Sequence, residues 1–213
     1  TAPTIDNNKL AESNMDSFAK SKDVTVTGLA TDAGGSNGVT YKYLVVTDGT
    51  TPTAETTGWA DVADTISFTE SKVGKLYIMA TDKAGNAIVS NAEVNIKVDA
   101  DNPTLTTNAG NDTADGTPIT INAADTTSNV TVKVYYSETD VDASTLTDSN
   151  LSKTYPEEGE EASKTIEKTY YATNSGFYYI SATDEAGNSS DVSKVQVTRA
   201  AVDNTSTLSV KVI

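Results

Sequence analysis

Cysteine and histidine are both absent from this 213-residue chain. Without cysteine there is no disulfide framework, no thiol nucleophile and no thiolate metal site. Without histidine the commonest general base and the usual ligand of zinc, copper and iron are missing, so any chemistry would fall to carboxylates, hydroxyls or lysine. Cationic side chains are scarce: 15 Lys and Arg stand against 30 Asp and Glu, a net charge of −15. That balance repels polyphosphate and excludes a nucleic-acid partner, while it favours solubility and hard cations. No apolar run approaches the roughly 20 residues that span a bilayer, so no membrane insertion is expected of this segment. The chain opens on Thr-Ala-Pro-Thr and closes on LSVKVI, the pattern expected of a piece of a longer protein.

What the chain does have is repetition. Residues 80–86 read ATDKAGN and residues 182–188 read ATDEAGN. The surrounding phrases GKLYIMATDKAGN and GFYYISATDEAGN begin at Gly74 and Gly176, and the Asp-Asn pairs at 101–102 and 203–204 share that spacing. Ala2-Pro3-Thr4-Ile5 lines up with Asn102-Pro103-Thr104-Leu105. A period near a hundred residues matches the commonest domain size. The expected organisation is one domain over residues 1–100, a second over 101–203, and the start of a following unit or a closing strand over 204–213.

Inside each unit apolar residues alternate with period two, as in Val94-Asn-Ile-Lys-Val98 and Val130-Thr-Val-Lys-Val134. That is the pattern of half-buried antiparallel strands, here Thr-rich and separated by Asp, Gly, Asn and Ser turns. The expected fold is all-β, two immunoglobulin-like β-sandwiches in tandem, end to end. The only helix-like stretch, Lys9 to Lys22, is expected to make a turn or two at most. The ATDxAGN phrase reads as a hairpin turn: Asp82 accepts a backbone hydrogen bond two residues on, and Gly85 supplies the left-handed conformation. Asp82 and Asp184 are thus structural rather than catalytic, and no paired acids mark an enzyme.

The order APT, SKDVTVTGLATDAGGSNGV, YKYLVV, a Trp, GKLYIMATDKAGN, then VNIKVD before the next DNPT resembles the bacterial immunoglobulin-like repeats of large Gram-positive surface proteins and adhesins. The resemblance covers both units. It implies neighbouring repeats in the same chain as partners, a location outside the cell on the bacterial surface or secreted, and a non-catalytic role as spacer or adhesion segment. Gly176-Phe-Tyr178 also resembles the immunoglobulin tyrosine corner, with Leu76 at the matching place in the first unit.

Two candidate sites follow. The junction holds Asp99, Asp101 and Asn102 beside Pro103, which resembles the calcium-binding linkers of cadherins. In an immunoglobulin-like unit the entering linker meets the loops that here carry Asp125 and Asp184, an oxygen-rich set suited to calcium, which takes 6 to 8 oxygen ligands. The acidic run 157–161 is expected to be a solvated loop. With Val130, Val132 and Val134 inward on one strand and Tyr178, Ile180 and Ala182 inward on its neighbour, alternation leaves Tyr135, Phe177 and Tyr179 outward. These three are expected to form an exposed aromatic face, and the alternative function is binding of a glycan or host surface protein there. By the same alternation Lys97 and Lys194 point outward.

Overall fold

The computed structural model describes residues 1–33 and 38–199. Residues 204–213, expected to begin a further unit or closing strand, lie outside the described residues. The protein is an all-β, immunoglobulin-like sandwich structure, and its hydrophobic side chains gather into two cores, one drawn from residues 5–98 and the other from residues 105–197.

The second core is the simpler. A three-stranded antiparallel sheet has the order β10 (Thr104–Ala109), β11 (Thr117–Ala124), β14 (Thr165–Ala172). A four-stranded sheet has the order β13 (Leu151–Tyr155), β12 (Val130–Ser137), β15 (Gly176–Asp184), β16 (Ser193–Val197). Alternation decides which side chains fill the space between them. Ile119 and Ile121 from β11, Val132 and Val134 from β12, and Ile180 from β15 are all fully buried. Lys194 alternates outward as expected and pairs with Asp140 at 2.9 Å.

The first half repeats the plan with additions. β4 (Thr40–Val46) lies between β5 (Ala60–Val62) and β7 (Lys72–Thr81), and β7 also pairs with β8 (Ala87–Val89) and β9 (Val94–Val98). The opposite sheet is reduced to β2 (Lys22–Thr25) and β6 (Thr65–Phe68), and β1 (Thr4–Ile5) pairs with β3 (Ala30–Thr31). Register supports the equivalence: Tyr41 stands opposite Ala80 in the first half and Val132 opposite Ala182 in the second. Leu76 to Ala80 is buried on both faces, as an unbroken apolar run requires.

The helix-like stretch makes a single short helix, within the turn or two expected. The helix is Asn7–Ala11, capped by the Asp6 carboxylate, which accepts from Lys9 N at 3.0 Å, and it ends before most of the Lys9–Lys22 segment. The remainder follows the free edge of β9: Met15 N donates to Asn95 O, Ala19 N to Lys97 O, and Asn14 Oδ1 accepts from Asn95 N. An exposed strand edge offers backbone partners that a continued helix could not have used.

The tyrosine corner is present in the second core. Tyr178 is 1 % exposed and its hydroxyl donates to Asn174 O at 3.0 Å, which fixes the turn into β15. Leu76, the equivalent in the first core, is fully buried without a polar contact to make. Tyr178→Phe is therefore expected to destabilise the second core by about 1 kcal/mol, the net value of one hydrogen bond. Urea unfolding would show it as a midpoint shift at unchanged slope; a wild-type midpoint would mean that the hydroxyl has no structural role.

Candidate functional site

The two ATDxAGN turns are built alike. In the first, Gly85 N donates to Asp82 O at 3.1 Å, Gly85 sits at φ +87°, and the Asp82 carboxylate accepts from both the backbone and the side-chain amide of Asn86. In the second, Gly187 N donates to Asp184 O at 3.2 Å, Gly187 sits at φ +85°, and Asn188 serves Asp184 in the same two ways. The Asn four residues on is thus a partner of the carboxylate in addition to the expected backbone two residues on, the Ala84 N–H, which also lowers the Asp82 pKa. The Asn86 amide bonds hold the Asp82 carboxyl below the ordinary carboxylate range. The closing Asn is the residue whose part the sequence reading missed, although its recurrence in both copies was visible.

The surroundings of the turns differ. β11 ends at Ala124, and the next residue, Asp125, is anchored by its N–H to Lys164 O and turns its Oδ1 to accept from Thr127 N at 2.7 Å and Ser128 N at 3.0 Å. In the first half Val26 holds that register position, its N–H bonded to Asp64 O, and it is fully buried. The position is therefore an acid in the second half and a buried valine of the hydrophobic core in the first.

The linker completes the arrangement. Asp99 follows β9 directly, is fully buried, and is held from both sides. Ser128 Oγ donates to its Oδ2 at 2.5 Å, and Asn188 Nδ2 donates to its backbone O at 2.9 Å. Toward the first core, Ser71 Oγ stands 3.3 Å from Asp99 Oδ1 and Asp99 N donates to Ala19 O. As a result Asp99, Asp125 and Asp184 each bring a carboxylate oxygen within 4.8 Å of the other two, and all three residues are buried.

Five residues were expected at this place, and three come together. Asp101 turns aside: its Oδ2 accepts from Ser71 Oγ at 2.6 Å, and because a hydroxyl has one proton, that shorter contact takes it in preference to Asp99. Asn102 is exposed. Ser71, Ser128 and Asn188 belong to the site and were not foreseen. Among the described residues no ion pair involves any of the three acids, and Asp125 Oδ2 receives no hydrogen bond. Three carboxylates thus share a small volume without an ion pair, while Lys164 Nζ donates to Thr126 O beside Asp125 at 3.0 Å and the Lys20 side chain lies beside Gly187. Bidentate carboxylates and the neighbouring hydroxyl, amide and carbonyl oxygens are the donor set that hard cations take.

The aromatic face differs from its expectation. Tyr135 and Tyr179 do stand opposite each other in register, with Phe177 two residues along. Tyr179, however, is only 3 % exposed. The segment after β12 folds over it, and its hydroxyl bonds to Asp140, to Val141 N and to Val141 O, each at 2.9 Å. Lys194, and after it the Tyr179 hydroxyl, hold the Asp140 carboxyl below its ordinary range. Phe177 carries Lys194 Nζ over its ring at 5.9 Å. A continuous exposed patch of the three therefore does not form. The acidic run is also less free than expected: Glu157 pairs with Lys153 at 2.7 Å and Glu160 with Lys168.

No protein-family model and no curated protein matches this chain. Among solved structures it is similar to the fibronectin(III)-like modules of Clostridium thermocellum CbhA, at 15% identity and a TM-score of 0.35, over 91% of this chain and 92% of that one.

Proposed function

We propose that this chain is a non-catalytic structural segment of a bacterial cell-surface or secreted protein, composed of two immunoglobulin-like modules, residues 1–100 and 101–203, whose junction is stiffened by a bound calcium ion. The observation that carries this reading is the buried trio Asp99, Asp125 and Asp184, because one acid belongs to the linker and the other two to separate loops of the second core. An ion held by all three would tie the linker to the second module, and a tied linker turns two modules into a rod. Extracellular calcium-binding modules work at dissociation constants of about 10⁻⁴ to 10⁻³ M, within reach of a site with three carboxylates. The sequence resemblance to bacterial surface repeats supports the location and the spacer role. It also supports adjoining repeats of the same kind as the immediate partners.

Calorimetric titration of the full chain is expected to find one calcium site of that affinity. Small-angle scattering should give a narrower distribution of long distances with calcium than with EDTA. Heat of dilution only, together with scattering curves that superimpose, would remove the ion from the proposal.

A further inference from the structure

One surface stands apart from the rest of this acidic molecule. The outer side of the sheet β10-β11-β14 presents its side chains in straight rows, because register and alternation put every second residue of each strand on the same side. Two successive rows are Asn108–Thr120–Thr169 and Thr106–Asn122–Glu167, all six residues exposed. The next row at one end pairs Pro118 with Tyr171, whose side chain stands out from the sheet and leaves the residue 49 % exposed. Strand spacing makes this platform about 10 Å across three strands and about 20 Å along four rows.

Its chemistry is particular. The outward positions of these strands carry no lysine or arginine and a single acid, Glu167, in a chain of net charge −15. The hydroxyls and amides of both rows make no hydrogen bond to the described residues, so all their donors and acceptors face outward. An extended array of neutral donors and acceptors ending in one aromatic face and one proline ring matches a ligand that is itself uncharged, extended, rich in hydroxyls and faced with C–H groups. The C–H face of a pyranose ring meets the negative face of an aromatic ring favourably, and Tyr adds a rigid, amphipathic contact at low entropic cost. An anionic ligand is repelled by the net charge and finds no cation on the platform. The corresponding sheet of the first core is two strands wide and carries the exposed Asp23 on it. Only the second core among the described residues has the platform.

We infer that the outer face of the sheet β10-β11-β14, anchored by Tyr171, binds a linear neutral polysaccharide. The site lies on a different sheet from Tyr135 and Tyr179 and does not depend on calcium. The test is affinity electrophoresis of the full chain in native gels containing barley β-glucan, mannan or xylan, with polygalacturonate as the anionic comparison. Retardation by at least one neutral polymer is expected, weakened at least tenfold by Tyr171→Ala and largely kept by Tyr171→Phe. Thr120→Lys, which plants a long cation in the middle of the platform, should abolish it independently; unchanged far-UV circular dichroism would show that both exposed variants fold. Unaltered mobility in every neutral gel would overturn the inference, as would retardation that persists in Tyr171→Ala or is matched by polygalacturonate. Neither result bears on calcium at the junction, so the two proposals fail separately.

Discussion

Ile180→Ala is expected to destabilise the second core by about 2–5 kcal/mol, the cost of deleting a buried branched side chain and leaving part of its volume empty. Ile180 is fully buried, stands opposite Val134 in register, and belongs to a cluster built from residues 105–197. Against a typical total of about 5–15 kcal/mol for a domain, that loss is large. At about 4–8 °C per kcal/mol for a unit near a hundred residues, it should move the corresponding melting transition by more than 8 °C. The first core is assembled from other residues, Leu76, Ile78, Val94 and Ile96 among them, and its transition should stay in place. Ile78→Ala, equally buried, should give the reciprocal pattern. Calorimetry in EDTA is the measurement, since a bound ion would couple the halves. One transition shifting as a whole in both variants would show a single cooperative unit, and the two-module proposal would be wrong.

The parts of this architecture that were legible in the sequence rest on local rules. Val94-Asn-Ile-Lys-Val98 alternates strictly and its three apolar residues are all fully buried. ATDxAGN forms the same turn twice because Asp, Gly and Asn each satisfy a specific need of the backbone. The meeting of Asp99, Asp125 and Asp184 followed from sandwich geometry, in which the entering linker and two loops share one end. What was not legible depends on partners distant in sequence. Asp101 leaves the cluster because Ser71, thirty positions earlier, offers it a proton. Tyr179 is covered because the chain after Ser137 folds back and offers Asp140 and Val141 to its hydroxyl, whereas alternation within a strand says only which side a residue faces. Val26 and Asp125 occupy equivalent places although the sequence phrase ATD at Asp32 looks more like AAD at Asp125. Twelve residues intervene between Val26 and Val39 in the first half and four between Asp125 and Val130 in the second, so the similar letters stand at different depths in the loop.

Asp125→Asn should raise the melting temperature of the second core in EDTA and gain far less than wild type from calcium. Both effects follow from the charges. Ionised carboxylates whose oxygens lie within 4.8 Å of one another repel, so removing one of three relieves two pairwise repulsions. Asn retains a carbonyl oxygen at the Oδ1 position, so the bonds from Thr127 N and Ser128 N survive and the turn keeps its shape. Without an ion, therefore, the variant has lost mainly repulsion. With calcium the wild type is the one that gains: binding to the folded state stabilises it by about 1.4 kcal/mol when the ion is at about ten times its dissociation constant, a rise of about 6–11 °C. The variant has lost a charged ligand and should gain little. Asp101→Asn is the control, since Asp101 bonds to Ser71 outside the trio and should leave the calcium response intact. Differential scanning calorimetry of the three proteins in EDTA and in millimolar calcium reads all of this directly. If Asp125→Asn is less stable than wild type in EDTA, the three acids do not repel as their spacing implies. If it matches wild type in its gain from calcium, the ion binds elsewhere.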